Sequence, residues 1–171
     1  GGLAAYPDVT EIPGLVDLAV IAIPRDGVLA AVDACAAKGV KALVVISAGF
    51  AEVDAAGRNL QQQVVEAVRG HGMRLVGPNC MWLVNTDPAF SLNASFSPVF
   101  PPPGGFALSS QSGAVGIVIL ALAKARQVGI SSFVSVGNKA DVSGNDLIQY
   151  WESDPRTRVI GLYLESFGNP R

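Results

Sequence analysis

Hydrophobic residues along the chain fall into two alternating patterns. Short, nearly unbroken apolar runs occupy residues 17–23 (DLAVIAI), 41–46 (KALVVI) and 73–76 (MRLV). Runs of this kind, without polar alternation, predict strands covered on both faces. Between them, residues 27–38 and 55–69 predict helices. Gly39 is placed to end the first helix in a left-handed cap, Asp54 to cap the second, and Gly70 to stop it. The order βαβαβ predicts a parallel sheet with right-handed crossovers.

Residues 97–104 (SPVFPPPG) break the rhythm and hold four of the 11 prolines. Three consecutive prolines disfavour a helix or a central strand, so a stiff linker and a domain boundary are expected there. The rhythm resumes with a strand at 105–109, a helix at 112–127, a strand at 130–136, a helix from Asn145 or Asp146 to Glu152, and a strand at 158–164. Residues 117–123 (IVILALA) are so apolar that their helix is expected to be buried on most sides. The pattern predicts an α/β fold built of two small parallel-sheet βαβ units. Three strands per unit is few for a doubly wound domain, and a piece of a longer chain is expected.

Composition narrows the function. Half of the residues (50%) are hydrophobic and 15% are charged, against roughly 25% charged in an average domain. Such a chain is not disordered, and the surplus of apolar surface is expected to cover a partner or further sequence. Twelve basic against 14 acidic residues leave a net charge of −2, which gives no basis for nucleic acid or an anionic membrane. No apolar run reaches the 18 residues of a membrane span, and residues 1–13 do not read as a signal peptide. The two cysteines make no disulfide framework, and a reduced cytoplasmic location is expected.

In open parallel sheets, ligands sit beyond the carboxyl ends of the strands. The loops there are residues 24–26, 47–52, 77–80 (GPNC), 110–113 (SQSG), 137–141 (GNKAD) and 165–168 (ESFG). Each is rich in small and polar residues, which tight turns also require. In the SQSG turn a strand runs into a helix whose first N–H groups are free and whose dipole is positive. Ser110 and Ser112 supply hydroxyls, and Gly113 gives an anion access to the backbone, so the turn is a candidate phosphate or carboxylate site. Ser110 or Ser112 reads equally well as a plain N-cap. Glu165 directly follows an apolar strand on the same edge; it is either a proton acceptor or orienting carboxylate, or a solvated loop acid. Neither G-x-G-x-x-G nor a P-loop occurs, which leaves a dinucleotide-binding oxidoreductase without its fingerprint. The SQSG turn lacks the glycines of a nucleophile elbow. His71 lies on the opposite edge, and one histidine with two distant cysteines makes no metal set.

The motifs together resemble a known family. Residues 16–24 (VDLAVIAIP), 44–50 (VVISAGF), GPNCM, SQSG, GNKAD, Asp154-Pro155 and 162–165 (LYLE) are similar, in order and spacing, to the α-subunit region of nucleoside-diphosphate-forming acyl-CoA synthetases. This is the succinyl-CoA synthetase superfamily, with the ADP-forming acetate–CoA ligases as the nearest branch. The resemblance implies an incomplete Rossmann CoA-binding domain over residues 1–97, a linker at 98–104, and the start of a flavodoxin-like ligase domain at 105–171. It implies reversible conversion of acyl-CoA, phosphate and ADP to acid, CoA and ATP through a phosphohistidine beyond residue 171. Cofactors and substrates would be coenzyme A and phosphate, with ADP or ATP and Mg on an ATP-grasp β subunit or fused domain.

By the same resemblance, Ser110, Ser112 and Gly113 face the phosphohistidine, and Glu165 contacts it. Pro24, Ile46, Ser47 and Ala48 line the CoA site, and Asn79 and Cys80 lie near its thiol end. Asn138 and Asp141 border the acyl phosphate. Three departures stand out: the first strand and Gly-rich loop precede Gly1, the catalytic histidine is not within the chain, and Trp82 replaces a usual glycine. An alternative within the same resemblance is a non-catalytic CoA or acyl-CoA sensor region of a fused protein acetyltransferase.

Overall fold

Strands β1 (Leu18–Ile21), β2 (Ala42–Val45) and β3 (Arg74–Val76) form a parallel sheet in sequential order. The computed structural model describes Gly2 and residues 4–95 and 100–166. Residues 98–99 of the expected linker and 167–168 of the last loop lie outside the described residues, as does the Trp82 side chain. Helices α1 (Val28–Lys38) and α2 (Ala55–Gly70) connect the strands. Successive right-handed crossovers that advance in one direction place both helices on one face, and α1 and α2 pack together there. On the other face Val20 is 44% exposed, so the strands are not covered equally on both sides as expected. The core under the helices is apolar and closed: Val28, Val32, Leu43, Val45, Phe50, Val64, Val68 and Leu75 have no solvent exposure. Each such side chain contributes about 1.5–3 kcal/mol through burial.

The caps differ in one detail from expectation. Gly39 ends α1 at φ 84°, and the Asp54 carboxylate accepts the Gly57 N–H at 2.6 Å. Gly70 does not stop α2 but is its last helical residue; the left-handed turn falls two residues later, at Gly72 (φ 73°).

The second sheet runs β5-β4-β7-β6-β8. Strands β6 (Pro103–Ser110), β7 (Ile130–Ser135) and β8 (Val159–Tyr163) are parallel. Strands β4 (Trp82–Asn85) and β5 (Leu92–Ser95) add an antiparallel hairpin against β7. The sheet is therefore mixed, where parallel strands alone were expected. The change of sheet comes between Val76 and Trp82, ahead of the prolines at 97–104. Pro103 itself opens β6, where a missing N–H is tolerated at the first residue of a strand.

Because β7 lies on one side of β6 and β8 on the other, the two crossover helices fall on opposite faces. Helix α3 (Gly113–Ala125) covers Leu108, Ile130 and Phe133. Helix α4 (Gly144–Ser153) covers Ala107, Val134 and Val136 with Leu147 and Trp151. Its N-cap is Ser143, in a capping box with Asp146, rather than Asn145 or Asp146. Helix α3 is not buried on most sides: only the face with Gly116, Leu120 and Ala123 is, while Val118 and Leu122 are 58% and 53% exposed.

The two sheets are joined along one seam. Residues 137–142 run beside the end of β3, with Asn138, Ala140 and Val142 N–H donating to the Pro78, Gly77 and Leu75 carbonyls, each at 3.0 Å. The Asp141 carboxylate is 1% exposed within this seam and accepts from Arg69 (2.9 Å), Arg74 (2.9 Å) and the Leu75 N–H (2.9 Å). Burial would raise its pKa, but the hydrogen bonds from Arg74, Leu75 and Arg69 outweigh this and hold it below the ordinary carboxylate value. Asp146, also paired with Arg74, is lowered to about 2; burial opposes that shift, and hydrogen bonds from Ser143 and Arg74 produce it. Gly137 (φ 52°) is required in the seam, because a Cβ would stand 2.4 Å from the Asn79 and Pro78 carbonyl oxygens.

Asp141→Asn is predicted to destabilise the protein by roughly 2–3 kcal/mol in denaturant titration, less than a fully buried pair because both arginines return to water. Both carboxyl pKa values are depressed, so their stabilisation is present above the unfolded value near ~4 and is lost as pH falls towards the folded values. Melting temperature is therefore expected to fall below pH ~4 in the wild type, and less steeply in Asp141→Asn.

Candidate functional site

The order of the second sheet reverses at β6, and the crevice beyond the carboxyl end of such a strand is where ligands enter open α/β sheets. The SQSG turn stands at this point, between the ends of β7 and β8. Ser112 is the N-cap of α3, and its hydroxyl accepts the Val115 N–H at 3.4 Å. Ser110 donates its hydroxyl proton to the Ser112 carbonyl at 2.6 Å. Both serines thus shape the turn. Among the described residues the Ser112 hydroxyl oxygen is used only as an acceptor, which leaves its proton to donate. The Gly113 and Ala114 N–H groups have no partner among the described residues. They present two donors at the positive end of a 13-residue helix.

Gly113 plays a different part from the one expected. A Cβ there would lie 2.0 Å from the Met81 sulfur, so the missing side chain makes room for Met81 rather than for an anion. Met81 in turn donates its backbone N–H to Ser135 Oγ at 3.2 Å. This contact sets the GPNC loop directly against the start of α3. On the other side, the Glu165 backbone N–H donates to Gln111 Oε1 at 2.9 Å, which brings the exposed Glu165 to the same turn.

The expected CoA-lining loops also come together. Ser47 donates its hydroxyl to the Ile23 carbonyl at 2.5 Å, and the Ser47 carbonyl accepts the Asn79 N–H at 2.9 Å. The Ile46 N–H donates to the Ile21 carbonyl at 2.9 Å, which continues the sheet. Pro24 caps a short 3-10 turn, and Pro24 and Ala48 are exposed along this rim. Arg25 reaches across the rim to the Gly49 carbonyl at 2.5 Å. Asn79, left-handed at φ 54°, donates to the Asn138 carboxamide at 3.4 Å. Asn138 then donates to Glu52 (2.5 Å) and Gln61 (2.9 Å).

Two expected site residues stand apart. Asp141 points into the seam with Arg69 and Arg74 rather than towards the turn at Ser112. Cys80 is 1% exposed, and its thiol donates to the Val45 carbonyl at 3.3 Å, beneath the rim rather than along it. Burial pushes that thiol up to about 12. His71 forms a surface pair with Asp33 at 3.2 Å, at the amino end of β3 and so on the opposite edge.

Four participants were not singled out in the sequence. Gln111 and Lys139 sit inside the SQSG and GNKAD motifs, and Met81 directly follows GPNC. Glu52 fills the turn at 49–50, where it accepts the Gly49 and Phe50 N–H groups at 2.6 and 3.1 Å. Burial opposes ionisation of Glu52, but the Asn138 amide and the turn N–H groups hold its pKa below the ordinary value.

The fold and this edge define the class: an α/β protein in which the strand ends of two sheets share one rim. A CoA binding domain model matches residues 1–86, and a succinyl-CoA ligase like flavodoxin domain model matches residues 103–171. The chain belongs to the CoA binding domain family, with the succinyl-CoA-ligase-like flavodoxin domain following it. It is 44% identical over 166 residues to the acetate–CoA ligase [ADP-forming] I subunit alpha of Pyrococcus furiosus, covering 97% of this chain and 36% of that one. It is 43% identical over 170 residues to the acetate–CoA ligase [ADP-forming] I of Archaeoglobus fulgidus, covering 99% of this chain and 24% of that one. Among solved structures it matches the dinucleotide forming acetyl-coenzyme A synthetase 1 of Ca. Korarchaeum cryptofilum in complex with phosphate and ADP. There the TM-score is 0.92 and the identity 44%, over 99% of this chain and 36% of that one. The chain thus spans about a quarter to a third of the length of these relatives. Among the described residues, no helix is long and apolar enough to cross a membrane.

The burial of Cys80 and Cys35 predicts that neither thiol is alkylated by iodoacetamide at pH 8 in the native protein, and that both react in denaturant. Rapid native labelling of Cys80 would show that its loop opens.

Proposed function

We propose that this chain is the CoA-binding and acyl-phosphate-handling region of an ADP-forming acyl-CoA ligase of the acetate–CoA ligase type. The reaction interconverts acyl-CoA, phosphate and ADP with the carboxylic acid, CoA and ATP. The observation that carries the reading is the α3 N-terminus: two N–H groups without a partner among the described residues, at the topological switch point, with Met81 on one side and the Glu165 loop on the other. Residues up to about 97 serve CoA, and residues from about 105 serve phosphoryl chemistry.

The rim of Pro24, Ile46, Ser47, Ala48 and Asn79 fits a phosphate-bearing thiol ligand. Its backbone is fixed by hydrogen bonds, its exposed side chains are small, and Arg25 supplies a cation that is 35% exposed. CoA bound there would supply the thiol that forms the thioester as phosphate leaves the acyl phosphate, and in the ATP-forming direction phosphate displaces that thiol from acyl-CoA. The Gly113 and Ala114 N–H groups and the free Ser112 hydroxyl proton stabilise the phosphoryl charge that develops beside them. Glu165 orients, by accepting its proton, the histidine that carries the phosphoryl group in this family, a residue outside residues 1–171. Cys80 acts beneath the rim, as packing under the Asn79 turn. Asn138 holds the seam side of the acyl-phosphate region, and Asp141 keeps that loop in place. ATP forms with Mg on an ATP-grasp partner subunit or fused domain, and the assembly is cytoplasmic.

The test uses the full-length protein with its ATP-grasp partner. Glu165→Gln is expected to lower kcat for ATP formation by about 100-fold with CoA binding unchanged. Ala48→Glu, which sets a carboxylate against the CoA phosphates, is expected to raise the KM for CoA by about tenfold with kcat retained. Wild-type kcat in Glu165→Gln would contradict the proposal. So would a stable phosphoryl label on His71 after incubation with labelled ATP.

A further inference from the structure

We propose that Gln111 and Lys139 are positioning residues that latch the Glu165 loop onto the start of α3, an inference that rests on the phosphoryl-handling role given above to Glu165. Gln111 Oε1 is a hub for three donors: the Glu165 N–H at 2.9 Å, the Ser166 N–H at 3.1 Å and Lys139 Nζ at 3.2 Å. Lys139 Nζ also donates to the Ser166 carbonyl at 2.7 Å and the Ser166 hydroxyl at 3.1 Å. The Gln111 backbone N–H donates to the Tyr163 carbonyl at 3.0 Å, so Gln111 is itself fixed to the end of β8. Three loops, following β6, β7 and β8, are thereby joined through two side chains.

The chemistry of the latch is specific. A carboxamide oxygen accepts both consecutive backbone N–H groups without adding charge. The Lys139 ammonium has no carboxylate partner among the described residues; it donates only to neutral oxygens. Among the described residues its charge has no ion-pair partner, beside a turn whose proposed ligand is an anion. A glutamate at position 111 would accept the same bonds but cancel that charge. Lys139 is held by a left-handed backbone (φ 53°) and by its own N–H to the Val136 carbonyl at 2.9 Å, which aims the side chain across the crevice mouth. Both residues act through Glu165: they fix where its backbone leaves β8 and hence where its carboxylate meets the reacting centre.

The test is a mutant cycle in the full-length protein with its partner subunit or domain, read as kcat for ATP formation, KM for CoA and melting temperature. Gln111→Ala and Lys139→Met are each expected to lower kcat by about 10- to 100-fold, the scale of an ångström misplacement of a catalytic group. The KM for CoA and the melting temperature should stay near wild type, and Lys139→Arg should recover most of the rate. Combined with Glu165→Gln, either variant should add less than about a further twofold loss, because its effect passes through that carboxylate. Should Gln111→Ala fail to fold, the Lys139→Met and Lys139→Arg pair carries the same comparison. Wild-type kcat in Gln111→Ala and Lys139→Met with Glu165→Gln impaired would overturn the latch alone, as would fully multiplicative losses in the double variants. Wild-type kcat in Glu165→Gln would instead overturn the role of Glu165 on which the latch rests.

Discussion

The Asp141 carboxylate, buried between two arginines and a backbone N–H, is the constraint on which the remaining geometry depends. It sits in the loop that follows β7, yet all three of its partners here belong to α2 and β3 of the first sheet. An ion this buried is costly unless its lone pairs are filled, and here four hydrogen bonds fill them. The result is a fixed seam rather than a hinge. Because residues 137–142 lie along the end of β3, the carboxyl ends of both sheets open onto the same rim. Gly137 allows the backbones to approach, and no side chain could stand in its place.

From that seam the two halves of the rim follow. Asn79 and Asn138 meet across it, which ties the loops after β1, β2 and β3 to the second sheet. Lys139, the next residue, reaches to Gln111 and Ser166, which ties in the loops after β6 and β8. Met81 then fills the hollow that Gly113 leaves. In the proposed reading, CoA with its thiol end over the first sheet and a separate acyl phosphate over the second would meet donors held by both.

Much of this was legible in the residue pattern, for physical reasons. Fully apolar runs such as 42–46 had nowhere to go but a covered sheet, and Gly39 and Asp54 ended or began helices as their backbone and side-chain chemistry dictates. The hairpin at 82–95 was not legible: its strands are four residues each, and Asn85 to Pro88 break the alternation between them. Only the pairing of β4 with β7, and of β5 with β4, makes them strands. The apolar α3 misled in the other direction, since composition fixes how greasy a helix is but not how many neighbours surround it. The SQSG turn and Glu165 stand out in the sequence because they sit at strand ends. The resemblance implies Asp141 beside the acyl phosphate, whereas its carboxylate lies in the seam; its partners Arg69 and Arg74 are 72 and 67 residues away, and no local pattern announces such a contact. Gln111 and Lys139 were inside recognised motifs, and only the distances reveal that they hold each other.

The proposed destination of the phosphoryl group is the first turn of α3, and a crystal structure of the full-length protein with bound phosphate would locate it. Phosphate oxygens are expected within about 3 Å of the Gly113 and Ala114 nitrogens, with the Ser112 hydroxyl as a third donor. Phosphate bound elsewhere, with those two N–H groups taken by another part of the protein, would contradict it.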